Sequence, residues 1–172
     1  MFNKILVVCV GNICRSPTAE RLLRQFHPAL TVSSAGLGAL VGKGADPCAI
    51  SVAQAHNLSL DNHCARQISG RMCREYDLIL AMEKRHISAL CEMVPEMRGK
   101  VMLFGHWDSE REIPDPYRKS RDAFDAVYTL LERSARLTAT ALSPVLHKPP
   151  IPADCEKMSV GKIGRASCRE RV

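Results

Sequence analysis

The stretch Ile5-Leu6-Val7-Val8-Cys9-Val10 constrains this chain most, because Gly11-Asn12 and Arg15-Ser16-Pro17 follow it directly. The apolar run reads as a buried strand that delivers a cysteine at its end. Ser16 and Pro17 then read as the opening of a helix, Ser16 as N-cap and Pro17 as its first residue. Gly11 tolerates unusual dihedrals and Asn12 tolerates the left-handed region, and a loop that wraps an anion requires both freedoms. The backbone N–H groups of Val10 to Cys14 are expected to curl inward, with the helix N-terminus adding partial positive charge. Arg15 brings a planar fork that grips two anion oxygens. At the centre of that field the sulfur of Cys9 is expected to be a thiolate, the reactive form. A cysteine closing a strand is ordinarily a small buried hydrophobe. No packing requirement, however, places an arginine six residues after it. The loop reads as a phosphate-handling nucleophile.

A chain of 172 residues has room for one domain with a sizeable core. Its eight cysteines do not form the dense pattern of a disulfide mini-domain. The opening apolar run spans six residues and lacks a small-residue cleavage site, so no signal peptide is read there. No stretch approaches the roughly 20 apolar residues of a membrane span. The expectation is a cytoplasmic protein with no direct membrane insertion. The net charge of +6 divides evenly, +3 on the body through Leu142 and +3 from Ser143 onward. A modestly basic body suits an anionic substrate. No basic stripe interleaved with aromatics appears, so nucleic acid is not an expected partner.

Strands and helices alternate along the chain. Strands are expected over Lys4 to Cys9, Leu30 to Ser34, Asp77 to Met82 and Lys100 to Phe104. Helices are expected from Pro17 to Phe26, from an Asp46 N-cap to Asn57, and over Arg71 to Tyr76, Lys84 to Met93 and Ser120 to Leu142. In the last, Phe124, Val127, Leu131 and Ala135 form a core-facing stripe. This alternation predicts a single-domain α/β fold, a four-stranded parallel sheet with helices on both faces. Ligands bind beyond the carboxyl ends of such strands, where Cys9 stands.

Asp115 lies between Pro114 and Pro116, which limit its backbone freedom. It reads either as turn chemistry or as a general acid for a leaving oxygen. The acidic pair Glu110 and Glu112 reads as a solvated loop face.

Val8 through Pro17, Asp115-Pro116-Tyr117 and His63-Cys64-Ala65-Arg66-Gln67-Ile68 together resemble the signatures of the low-molecular-weight protein tyrosine phosphatases. The resemblance extends to the bacterial branch found in capsule, exopolysaccharide and colanic acid export, and covers the chain to about Leu142. It implies Cys9, Arg15 and Asp115 as catalytic residues. It implies the loop Val10, Gly11, Asn12, Ile13, Cys14 and Ser16, with Leu40 and Tyr117 as walls, as the substrate site. Ser34 and His63, with Asn12 and Ser16, would hold the loop in shape. Cys9 would attack phosphorus in line while Asp115 protonates the tyrosyl oxygen, and the cysteinyl-phosphate would then be hydrolysed by water that Asp115 activates. No metal or other cofactor is called for. A disulfide between Cys9 and Cys14 would give reversible protection against oxidation. The expected partner is a phosphotyrosine protein, the cytoplasmic tyrosine-rich part of a membrane autokinase, met by a monomer or weak oligomer.

Two other readings stand beside this one. An arsenate reductase can share the loop and fold, but needs a resolving cysteine just after the third strand, where Met82-Glu83 stand. A non-catalytic phosphotyrosine-binding module would lose the nucleophile or the acid, and both are present. Residues 1–142 read as the phosphatase domain. Residues 143–172 read as a disordered or aberrant tail: the Pro-rich Lys148 to Pro152 segment is extended, and Lys162 to Val172 resembles translated adapter sequence.

Overall fold

The computed structural model describes residues 2–144; the tail expected from 143 onward therefore lies, from residue 145, outside the described residues. Four strands, β1 (Lys4–Cys9), β2 (Thr31–Gly36), β3 (Leu78–Ala81) and β4 (Val101–Leu103), form one all-parallel sheet in the order β2-β1-β3-β4. Five α-helices join them: α1 (Arg15–Phe26), α2 (Pro47–Ala55), α3 (Gly70–Glu75), α4 (Lys84–Met93) and α5 (Arg121–Leu142). A 3-10 helix, Pro95–Lys100, leads into β4 and was not anticipated from the sequence.

The central strand shows why both faces must be covered. Ile5, Val7 and Cys9 point into a core shared with Leu22 and Leu23 of α1 and Val127 and Leu131 of α5. Leu6 and Val8 alternate to the other face, against Ile79, Leu90 and Val94. Side chains alternate along a strand, so an unbroken apolar run needs a hydrophobic layer on each side. The expected stripe of Phe124, Val127, Leu131 and Ala135 is buried as predicted.

Strand order is what locates the site. The chain leaves β1 through α1 to reach β2 on one side, then crosses back to β3 on the other. The carboxyl end of β1 is thus a topological switch point, where neighbouring connections diverge and open a crevice. Cys9 is the last residue of β1 and sits at that opening.

Candidate active site

The loop from Cys9 to Arg15 differs from expectation in two details. Helix α1 begins at Arg15 with Cys14 at its N-cap position, so Ser16 lies within the first turn and does not cap it. Asn12 takes the left-handed region as expected, at φ 57°, whereas Gly11 does not adopt positive φ. The first difference has a cause: the Ser16 hydroxyl is committed to Asn12. The Asn12 side-chain amide donates to Ser16 Oγ at 2.7 Å and to Ser34 Oγ at 3.0 Å. Ser16 Oγ therefore accepts from Asn12 and has its own proton free for Cys9 Sγ, 2.9 Å away. This hydroxyl is placed to stabilise a thiolate.

Further groups hold Asn12 from behind. Its carbonyl lies 2.6 Å from His63 Nε2, and a carbonyl only accepts, so Nε2 carries the proton. Its side-chain oxygen accepts from the Arg66 backbone N–H at 3.0 Å. Asn12, Ser16 and Ser34 are buried and do not line the cleft; their side chains shape the loop from its reverse side. Gly36 closes against the loop so tightly that a Cβ there would lie 2.4 Å from the Val10 carbonyl oxygen.

Arg15 is 1% exposed, and its surroundings were not anticipated. Its Nη1 donates to Glu83 Oε2 at 2.6 Å and to the Ile113 carbonyl at 2.8 Å, while Nη2 lies 3.5 Å from Asp115 Oδ2. Burial alone would raise the Glu83 carboxyl, but hydrogen bonds from Arg85 and Arg15 outweigh it and hold the group below the ordinary glutamate range. His86 packs beside this pair with its Nδ1 accepting from the Glu83 N–H. Burial, with Arg15 nearby, keeps its imidazole below the usual histidine range. Glu83 stands just past β3, after Met82, a position visible in the sequence, but nothing in the sequence pairs it with Arg15. The signal was the arginine itself: a buried guanidinium requires a carboxylate.

These groups meet in one cleft of about 380 Å³, lined by the loop residues Cys9, Val10, Gly11, Ile13, Cys14 and Arg15 and by Gly38, Leu40, Asp115, Tyr117 and Arg118. Asp115 is 38% exposed at its side chain and accepts from the Tyr117 N–H at 3.1 Å. Leu40 and Tyr117 stand exposed on the rim. Arg118, a residue the sequence did not single out, adopts φ 61° and lies 5.3 Å from the Tyr117 ring centroid. Of the acidic pair beyond β4, Glu112 is exposed but accepts from the Lys84 N–H, at the start of α4. Cys14 is a buried free thiol; burial first, then the Asp46 carboxylate, pushes it well above the ordinary thiol range.

The arrangement can hold a tetrahedral oxyanion against a sulfur, with a carboxyl across the cleft. The position where an arsenate reductase needs a resolving cysteine holds Met82, in the core, and Glu83, on Arg15. Cys91 lies further along, in α4.

Known proteins share this fold. The chain is 83% identical over 149 residues to the low molecular weight protein-tyrosine-phosphatase Wzb of Salmonella typhimurium, covering 87% of this chain and all of that protein. A solved protein tyrosine phosphatase structure, 80% identical, superposes with a TM-score of 0.81 over 83% of this chain and 97% of its own. Vibrio vulnificus Wzb in complex with benzylphosphonate is 51% identical, with a TM-score of 0.81 over 83% of this chain and the whole of that one. Residues 4–145 match the family model for low molecular weight phosphotyrosine protein phosphatase. With a family model matched over nearly all of the described residues and relatives this similar along their whole length, this chain belongs to the low-molecular-weight phosphotyrosine protein phosphatase family.

Proposed function

We propose that this protein hydrolyses phosphotyrosine in proteins through a cysteinyl-phosphate, with Cys9 as nucleophile, Arg15 as the phosphate clamp and Asp115 as the proton donor. The observation that carries the reading is the single cleft in which Cys9 Sγ, Arg15 and Asp115 meet beneath the Tyr117 and Leu40 rim. Ser16 donates to the thiolate, which attacks phosphorus as the P–O bond to the tyrosyl oxygen breaks. Asp115 gives its proton to that oxygen, which leaves as a neutral phenol. The resulting carboxylate takes a proton from water, whose oxygen attacks phosphorus and returns the electron pair to sulfur. Arg15 and the loop N–H groups balance charge on the equatorial oxygens in both steps.

Tyr117 and Leu40, exposed on the rim of the cleft that holds the buried Cys9, would flank the phenyl ring of an aryl ester. Every group in this scheme comes from one chain, so a monomer suffices. The protein substrate is the cytoplasmic tyrosine-rich segment of a membrane autokinase in exopolysaccharide or capsule export, met in the cytoplasm. Among the described residues no helix is long and apolar enough to cross a membrane. The catalytic unit is residues 1–142.

Two variants test the chemistry. Cys9→Ser should abolish hydrolysis of p-nitrophenyl phosphate, by three or more orders of magnitude on the scale of a lost nucleophile (about 10³ to 10⁶); retained turnover would refute the covalent route. Asp115→Asn should slow phenyl phosphate far more than p-nitrophenyl phosphate, whose leaving group needs no proton. An equal loss on both would remove the acid role. The Cys9→Ser protein, used as bait in lysate, should retain the phosphorylated autokinase; failure to retain it while retaining other phosphotyrosine proteins would reassign the partner.

A further inference from the structure

On the reverse side of the active loop lies a second cavity, of about 330 Å³, that the hydrolytic scheme does not use. One wall is α1, with Glu20, Arg21 and Arg24; the other is the segment Asn62 to Cys64 with Arg66. Between them the floor contains Ser34 and His63, two of the groups that hold Asn12. Three guanidinium groups therefore face one carboxylate.

The pairing within the cavity leaves donors over. Glu20 Oε2 takes Arg21 Nε at 3.1 Å and Arg24 Nη1 at 3.5 Å, which consumes the one negative charge. Arg21 Nη1 donates to the Ser59 carbonyl, and Arg24 donates twice to the Val32 carbonyl. Arg66 donates through Nε to the Ser34 carbonyl and through Nη2 to the Tyr76 hydroxyl. These bonds fix three guanidinium planes and leave Arg21 Nη2 and Arg66 Nη1 without a protein acceptor among the described residues. Rigid guanidinium groups with spare donors on facing walls suit a phosphate-bearing anion, which accepts from several forks at once. Preorganised donors also bind with little loss of side-chain freedom.

We propose that this cavity is an effector site for a small phosphate-bearing anion, acting on the active loop through Ser34 and His63. An occupant drawing on Arg66 Nη1 pulls on the residue whose Nε holds the Ser34 carbonyl and whose backbone N–H holds the Asn12 side chain. An anion beside His63 likewise alters the imidazole that holds the Asn12 carbonyl. Both changes bear on the left-handed turn at Asn12, and hence on Ser16 and Cys9, without contact with the substrate.

The test uses the full chain with benzylphosphonate saturating the front cleft and inorganic pyrophosphate as probe. Amide resonances of Arg21, Ser33, Asn62, Cys64 and Arg66 should shift on titration. The paired change Arg21→Gln with Arg24→Gln should weaken that titration roughly tenfold, the scale of one lost charge-assisted hydrogen bond. Without benzylphosphonate, pyrophosphate should lower kcat for p-nitrophenyl phosphate in the parent protein and not in the paired variant, whose basal kcat stays at the parent value. Should the double variant unfold, Arg21→Gln alone serves, since its side chain is partly exposed. Absence of shifts with the front cleft blocked would overturn the site. Purely competitive inhibition, equal in both proteins, would overturn its action on the loop. The resonance measurement does not depend on turnover, so it is independent of the hydrolytic reading.

Discussion

Arg15 is the one arginine or lysine buried among the described residues, and its charge must be answered. A guanidinium that is 1% exposed is destabilising unless its charge and donors are met. Glu83 at 2.6 Å and the Ile113 carbonyl at 2.8 Å meet them, and in doing so aim the fork before any phosphate arrives. Glu83 is thus a positioning residue. Glu83→Ala should lower kcat/KM for p-nitrophenyl phosphate by at least about tenfold and destabilise the fold by about 2 kcal/mol in urea unfolding. That figure sits below the range for fully buried pairs because the Glu83 side chain keeps 19% exposure. Glu83→Gln, which keeps an acceptor oxygen, should recover part of both losses. An unchanged kcat/KM in the alanine variant would show that the loop alone aims Arg15. The residues from Cys9 to Ser16 could be found from their contiguity, because one short segment carries them all. Glu83 could not, and Arg66 stands in a family-like stretch without a visible role, because both roles depend on which strand ends and loops lie side by side.

At the scale of elements, local rules located the strands and helices to within a few residues and failed where the site overrode them. Asp46 caps α2 as its side chain predicts, accepting from the Cys48 N–H at 2.8 Å. Ser16 is an equally good N-cap by type, yet Asn12 and Cys9 claim its hydroxyl, and the helix starts two residues earlier. The 3-10 helix leaves no mark in the sequence because Pro95 to Lys100 shows no apolar period of its own; Met97 joins the core cluster that holds Ile79 of β3 and Leu90 of α4. The end of β2 shows an element shaped for its neighbour. A Cβ on Gly36 would fall 2.4 Å from the Val10 carbonyl oxygen, where ordinary contact starts near 3.4 Å. Gly36→Ala must therefore push the active loop outward by about 1 Å, a displacement that costs on the order of a hundredfold in rate. We expect that loss in kcat, with far-UV circular dichroism unchanged. A Gly36→Ala protein of normal kcat would mean that β2, not the loop, gives way.

For the whole molecule, sheet order is the fact that turns separate motifs into a site. The order β2-β1-β3-β4 brings the ends of β1 and β3 together, so that Glu83 reaches Arg15, while His86, three residues on in the first turn of α4, meets Glu83 locally. One consequence is a pH dependence of folding. His86 is buried, its Nδ1 accepts from the Glu83 N–H, and Nε2 has no hydrogen-bond partner among the described residues. Burial and the cations Arg15 and Arg85 oppose a proton on this ring, while Glu83 and Asp115 favour one, and the net shift is downward from 6.5. Between that value and the lower folded one, the unfolded chain binds a proton that the native protein refuses, so stability falls as the pH drops below 6.5. Glu83 and Asp77, both held below their ordinary carboxylate values, keep their contributions until the medium is more acidic than about 4.5 and 3.8 respectively. The two regimes are therefore separable. His86→Gln, which keeps an acceptor for the Glu83 N–H but takes up no proton, should flatten the loss between pH 6.5 and about 5 and leave the acid limb intact. Urea unfolding of both proteins in steps from pH 7.5 to 5 measures it, and parallel curves would show that His86 is not the group that titrates.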